Sequence, residues 1–235
     1  MDNISEYRVL GGTGTLLGPQ SNAQFNCVIE LVQRSLHPFA ESAMHGGIFS
    51  ENGLNSLLSL YISKTARQGN LPYIVQHQSI EDLTRGDSPA PDIGIHLDID
   101  DAASPPPKIT VFEGKRLTKG LGAKRHREYV FGYEKKGKHV PCGGIERFKR
   151  SIHGQNLNQA GIIGYIQEET PPYWHGQINF WISELSLQQT TPKWTEEERL
   201  SPLTTEGRIS ESTSVVSREE APFQLTHLWV NLIET

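Results

Sequence analysis

A chain of 235 residues is long enough to bury a substantial core without disulfides or a structural metal. Its 36% hydrophobic and 21% charged residues, with 22 Gly and 14 Pro, exclude a disordered or fibrous protein. The formal charge of −5 speaks against a uniformly basic nucleic-acid binder, and no run of 18 apolar residues is present to span a membrane.

The first residues lack a basic segment followed by an apolar one, so no secretory signal is read there and a cytoplasmic location is expected. Residues 1–21 are Gly-rich and irregular and read as a flexible N-terminal segment. The run from Gly11 lacks both the Lys-Ser/Thr and the preceding strand of a phosphate loop. From Asn22, the residues Phe25, Val28, Ile29, Val32 and Leu36 recur at helical spacing, with an end expected near Pro38. A second helix is predicted over 51–67, with Leu54, Leu57, Leu58, Tyr61 and Ile62 on one face and Gly69 as its stop.

Strands are predicted next, over 72–80, 92–100 and 108–117. The middle one alternates strictly: Ile93, Ile95, Leu97 and Ile99 face one side, while Asp92, Gly94, His96, Asp98 and Asp100 face the other. A basic, Gly-containing loop leads to a short helix over 145–152 and a buried strand over 160–167. Trp174, Ile178, Trp181, Ile182 and Leu185 mark another helix. Residues 190–221 are polar and weakly patterned and read as an extended loop; 223–233 close the chain as a strand. The order α, β, β, β, α, β, α, β, without repeat or linker, predicts a single α/β domain over 22–235 on a mixed sheet.

Cys27 and Cys142 form no CxxC pair and read as free thiols, and nothing beside Cys142 marks it as a nucleophile. The histidines show no HxH or HExxH spacing and there is no GxSxG elbow. His96 reads as a hydrogen-bonded sheet histidine.

The second and third strands carry the chemistry. If they form a hairpin around 102–107, with Asp100 opposite Lys108, then Asp92 falls opposite Lys115 or Arg116, and Gly94 opposite Glu113 or Gly114. Glu113 and Lys115 are two apart and share a face, so Asp92, Glu113 and Lys115 converge at one end of the hairpin. Asp98 is excluded, because it stands about 20 Å further along the strand. Carboxylate oxygens are hard ligands suited to Mg²⁺. Such an ion can polarise a phosphoryl oxygen and activate water, while a lysine offsets developing charge. The set suits metal-dependent phosphodiester hydrolysis.

Pro91-Asp92 followed by Glu113-Gly-Lys115 at the end of an apolar strand resembles the PD-(D/E)xK nuclease superfamily, the restriction-endonuclease-like fold. The resemblance covers about half of the chain. It implies an αβββαβ core over about 51–167, with an extra N-terminal helix and a C-terminal helix and strand. It also implies a further acid from the preceding helix, for which Glu51 is the best match and Glu81 the second. Asp92, Glu113 and Glu51 are then the expected Mg²⁺ ligands, with Mn²⁺ able to substitute, and Lys115 completes the catalytic set. The implied activity is that of a deoxyribonuclease, endonuclease ahead of exonuclease. Gly143-Gly-Ile-Glu-Arg-Phe148, Ala160-Gly-Ile-Ile-Gly-Tyr165 and Leu225-Thr-His-Leu-Trp229 resemble small members associated with restriction and anti-phage defence. A homodimer or a partner subunit of a defence system would fit that setting.

Residues 108–150 hold 13 Lys/Arg against four acids, a balance of +9 that leaves −14 for the rest. Arg116, Lys119, Lys124, Arg125, Arg127, Arg147, Lys149 and Arg150 are therefore expected to contact a nucleic-acid backbone, DNA before RNA. The interleaved Tyr129, Phe131 and Tyr133 are assigned to the core rather than to bases. Two other classes compete: a catalytically inactive nucleic-acid-binding or protein-interaction module on the same fold, and a structural protein in which Glu113 and Lys115 are an ion pair at a sheet edge.

Overall fold

The computed structural model describes residues 22–48, 50–101, 103–122 and 125–233; the N-terminal segment and Lys124 lie outside them. Its elements are α1 (Asn22–Glu41), α2 (Glu51–Gln68), β1 (Tyr73–His77), β2 (Ile93–Leu97), β3 (Lys108–Leu117), β4 (Tyr133–Lys135), β5 (Lys138–Val140), α3 (Gly144–Lys149), β6 (Gln159–Ile166), α4 (Pro171–Ser186), β7 (Thr204–Glu206), β8 (Ile209–Val216) and β9 (Phe223–Asn231). A seven-stranded mixed sheet runs β1-β2-β3-β6-β9-β8-β7, and β4-β5 stand apart as a hairpin. The pairs β3–β6 and β6–β9 are parallel and the other pairs of the large sheet antiparallel. This is an α/β fold with four α-helices among the described residues. None of its helices is long and apolar enough to cross a membrane.

Alternation along the central strands builds a core on each face. Leu228 and Val230 of β9 pack with α1 and α2, whereas Leu225 and Trp229 pack with α3 and α4. Of the three aromatics assigned to the core, Tyr129 belongs to the second core, Phe131 packs against it, and Tyr133 lies in β4 outside both cores.

Three expectations are corrected. α1 runs through Pro38 to Glu41, because Phe39 and Ala40 beyond the proline are buried in the first core and their burial outweighs the lost N–H. Residues 190–221 are not an extended loop: β7 and β8 lie there. In β8 the inward positions are Ser210, Ser212 and Ser214, all buried. Ser210 Oγ bonds Thr205 Oγ1, Ser212 Oγ donates to Ser201 O, and Ser214 Oγ bonds His227 Nε2. Satisfied hydroxyls thus occupy places where a hydrophobic period was sought. The second strand ends at Leu97, so that Ile99 is left partly exposed.

The interior also holds a buried ion pair between Lys149 of α3 and Glu198, each with a side chain only 1% exposed. Glu198 Oε1 accepts the Ser217 N–H as well, and Lys149 lies over the Trp194 ring. Removing one partner strands the other charge. Glu198→Ala is expected to cost about 3–5 kcal/mol in denaturant unfolding, while a Lys149→Met/Glu198→Leu double variant recovers most of it. Equal losses in both proteins would refute the pairing argument.

Candidate active site

The site forms where β3 outruns its antiparallel neighbour. Ile93 pairs with Phe112, and the strand that would continue opposite residues 113–117 is absent among the described residues. On the other side those residues remain paired with β6. Two N–H groups of the unpaired stretch are taken instead by carboxylates. Asp92 Oδ2 accepts the Gly114 N–H at 2.8 Å, and Glu51 Oε2 accepts that of Arg116 at 3.4 Å.

Glu51 arrives by a different route. Ser50 caps α2 by accepting the Gly53 N–H at 3.1 Å, which puts Glu51 in the first helical turn, where an acid is favoured by the helix dipole. α2 lies tightly over β3: a Cβ on Gly114 would stand 1.9 Å from Asn55 Oδ1. Only glycine allows that approach. Asn55 Oδ1 in turn accepts the Tyr165 hydroxyl at 2.7 Å.

Lys115 Nζ sits 2.9 Å from both Glu51 Oε1 and Glu113 Oε1. Arg147 Nη1 donates to Glu113 Oε1 at 2.5 Å, and His153 Nδ1 lies 3.1 Å from Glu113 Oε2. That last contact is not a well-directed hydrogen bond, and Glu113 Oε2 is buried without a donor. Glu113 is fully buried, while the side chains of Glu51 and Arg147 are 20% and 29% exposed and form the solvent side.

The electrostatics follow from this packing. Burial and then the neighbouring Glu113 carboxylate push Asp92 up to about 7. Burial acts on Glu113 in the same direction, but Lys115, His153 and Arg147 together hold it well below the usual carboxylate range. Burial works against the charge on Lys115, yet Glu113, Glu51 and Asp92 raise it well above an ordinary lysine. Lys115 is a fixed cation here.

The convergence expected of Asp92, Glu113, Lys115 and Glu51 is present, although the register differs. Gly94 faces Val111, and Lys108 faces His96 rather than Asp100, because the turn takes in residues 98–107 and the pairing shifts between Ile95 and His96. Asp98 lies at the far end, its N–H bonded to Pro72 O. His96 bonds Pro106 O, as a sheet histidine should. Glu81 stays apart from the carboxylates around Lys115, bonded to Lys108 Nζ and the Gly154 N–H. The ion pair of Glu113 and Lys115 is formed, on a strand flanked by β2 and β6 whose β2 side is open from residue 113 on.

The basic residues are placed less as expected. Lys149 is buried against Glu198 and cannot meet a backbone. Arg147 is turned onto Glu113. Arg150 Nε donates to Glu146 at 2.7 Å, Arg116 Nε to Gln167 at 2.6 Å, and Arg127 Nη2 to Glu184 at 2.6 Å. Lys119 pairs with Glu169, and Arg125 with Glu128. Lys124 lies outside the described residues. Sequence reasoning missed Asn55 and His153 and assigned Arg147 to phosphates. One signal was available in Gly143-Gly144: a Cβ on Gly144 would lie 3.2 Å from Lys115 Cγ, so the pair lets α3 close onto the site.

Among the described residues no group of three or more His, Cys, Asp or Glu is arranged to hold a metal ion. Mg²⁺ usually takes only one or two carboxylates and keeps several waters. Asp92 and Glu113 fit that need, and Glu113 Oε2, met only by His153 Nδ1 at 3.1 Å, is the atom such an ion would engage. Glu51 fits less well as a ligand, since both its oxygens are engaged by Lys115 and Arg116.

No family model matches this sequence, and no curated protein or solved structure matches it.

The raised Asp92 carboxyl has a consequence for stability. Between the unfolded value near 4 and about 7 the folded state keeps the proton that the unfolded state has lost, so stability falls as pH rises through this window. Asp92→Asn cannot titrate. Its melting temperature minus that of the wild type should grow from pH 4 to 7 and level off above. Parallel curves in thermal melts across that range would refute the assignment.

Proposed function

We propose that the protein is a metal-dependent nuclease that hydrolyses phosphodiester bonds, in DNA before RNA, and that it serves restriction or anti-phage defence. The observation that carries this reading is the meeting of Asp92, Glu113 and Lys115 with Glu51 where β3 runs past β2. The order α2, β1, β2, β3, α3, β6 supports the restriction-endonuclease-like core that the resemblance implies.

In this reading Asp92 and Glu113 hold Mg²⁺, or Mn²⁺ in its place. When bound, the ion polarises a phosphoryl oxygen and lowers the pKa of the attacking water. Lys115, a fixed cation, would offset the negative charge that develops on the phosphoryl oxygens. Glu51 is a positioning residue that holds Lys115 from the helix side. Arg147 does the same for Glu113 from α3. Burial favours the protonated form of Asp92, and that proton would have to leave for the carboxylate to serve as a ligand.

A second reading has its own support. Lys115, Arg147 and His153 surround Glu113, so the cluster is electrically compensated by the chain alone, as an inactive binding module on the same fold would require. Cleavage separates the two. Wild type incubated with plasmid and single-stranded DNA is expected to cut with Mg²⁺ or Mn²⁺ and to stop on chelation. Glu113→Gln and Lys115→Ala, shown folded by circular dichroism, should lose about 10²-fold or more. Binding without cleavage under any divalent ion would favour the inactive module, and equal cleavage by all three proteins would sink the site.

A further inference from the structure

We infer that the β4–β5 hairpin is an arm that grips the nucleic-acid backbone beside the site, an inference that rests on the nuclease reading above. Its lysines belong to the basic run over 108–150 but are not among the eight cations named there as contacts. The cations expected there are mostly turned to acids of the same chain, such as Lys119 to Glu169 and Arg127 to Glu184. The arm is different. Lys135, Lys136 and Lys138 are exposed, and no acid partners any of them among the described residues.

Their arrangement is unfavourable on its own. Lys135 and Lys138 are directly opposite across the hairpin, and Lys136 stands in the turn between them. Like charges facing each other across strands destabilise a hairpin. Nothing within the hairpin relieves the repulsion, for its one acid, Glu134, lies toward His139. A polyanion laid along the tip would relieve it.

The lysines are presented rigidly. Lys136 and Gly137 both have positive φ, 52° and 70°, the two-residue turn whose twist matches the flanking strands. At the base, Phe131 stacks on His139 with centroids 4.3 Å apart. Buried Glu146 accepts the Gly132 N–H at 2.8 Å and bonds His139 Nε2 at 2.6 Å. Gly132 has no room for a side chain, since a Cβ would meet Val140 O at 1.8 Å.

Glu146 is followed in α3 by Arg147, which holds Glu113. One helical turn therefore anchors both the arm and the Glu113 carboxylate. From Val140 the strand carries Lys138 about 7 Å outward. The arm would meet a nucleic-acid backbone through its phosphates and without reading bases.

The test is binding in the absence of divalent ions, by fluorescence anisotropy with a labelled duplex and a labelled single strand over a range of salt. Lys135→Ala/Lys136→Ala/Lys138→Ala should lower the steepness of log affinity against log salt by about 2 to 3. Affinity should fall about tenfold or more at physiological ionic strength, alike on unrelated sequences. Lys64→Ala/Arg67→Ala, which removes two exposed cations elsewhere on α2, should leave the slope unchanged. If wild type binds and the arm variant keeps its slope, or if the control loses as much, the arm is refuted and the nuclease reading stands. If wild type neither binds either probe nor cuts with Mg²⁺ or Mn²⁺, both fall.

Discussion

The stretch of β3 that outruns β2 is the constraint on which the rest of the structure turns. A central strand cannot leave its N–H groups unpaired. Where the neighbouring strand stops, Asp92 and Glu51 bring carboxylates to Gly114 and Arg116 in its place. Those acids come from the approach to β2 and from the first turn of α2, segments about 40 residues apart in the sequence. The same stretch puts Glu113 and Lys115 on one face of a buried strand, where neither charge is tolerable without the other. The bonds that complete the sheet and the bonds that assemble the site are the same bonds.

The six-residue α3 links three buried polar systems. Glu146 holds the β4–β5 hairpin, Arg147 holds Glu113, and Lys149 is sunk against Glu198. Helix propensity cannot sustain so short a helix. It is held by these bonds and by Ile145 and Phe148, which pack into the second core. The uneven charge of the chain also takes its physical form here. Much of the basic excess between β3 and α3 is compensated by acids from distant segments such as Glu184 and Glu198, and three lysines without an acid partner among the described residues stand on the hairpin.

Much of this was legible in the residues. The bounds of β3 match, because a ten-residue apolar strand flanked by prolines and a polar loop admits few alternatives. α2 begins at Glu51, as its capping serine directs. Asp92, Glu113 and Lys115 converge as spacing and strand period require. The register between β2 and β3 was not legible, because it depends on how much chain the turn consumes and on a shift at Ile95. β8 was hidden by its buried serines, whose partners lie in other segments. The roles of Arg147 and Lys149 were hidden too, since a cation in sequence carries no mark of which distant acid it will meet.

The sequence by itself determined the α/β class, the run of most elements and the kind of chemistry that two acids and a lysine can support. These rest on local period and residue type, and they survive whatever the packing does. Tertiary structure alone decided that Glu51 would hold Lys115, that α3 would reach across to Glu113, and which lysines would remain facing solvent. Each is settled by contacts between residues tens of positions apart, where burial leaves a charge only the partner that the fold has placed beside it.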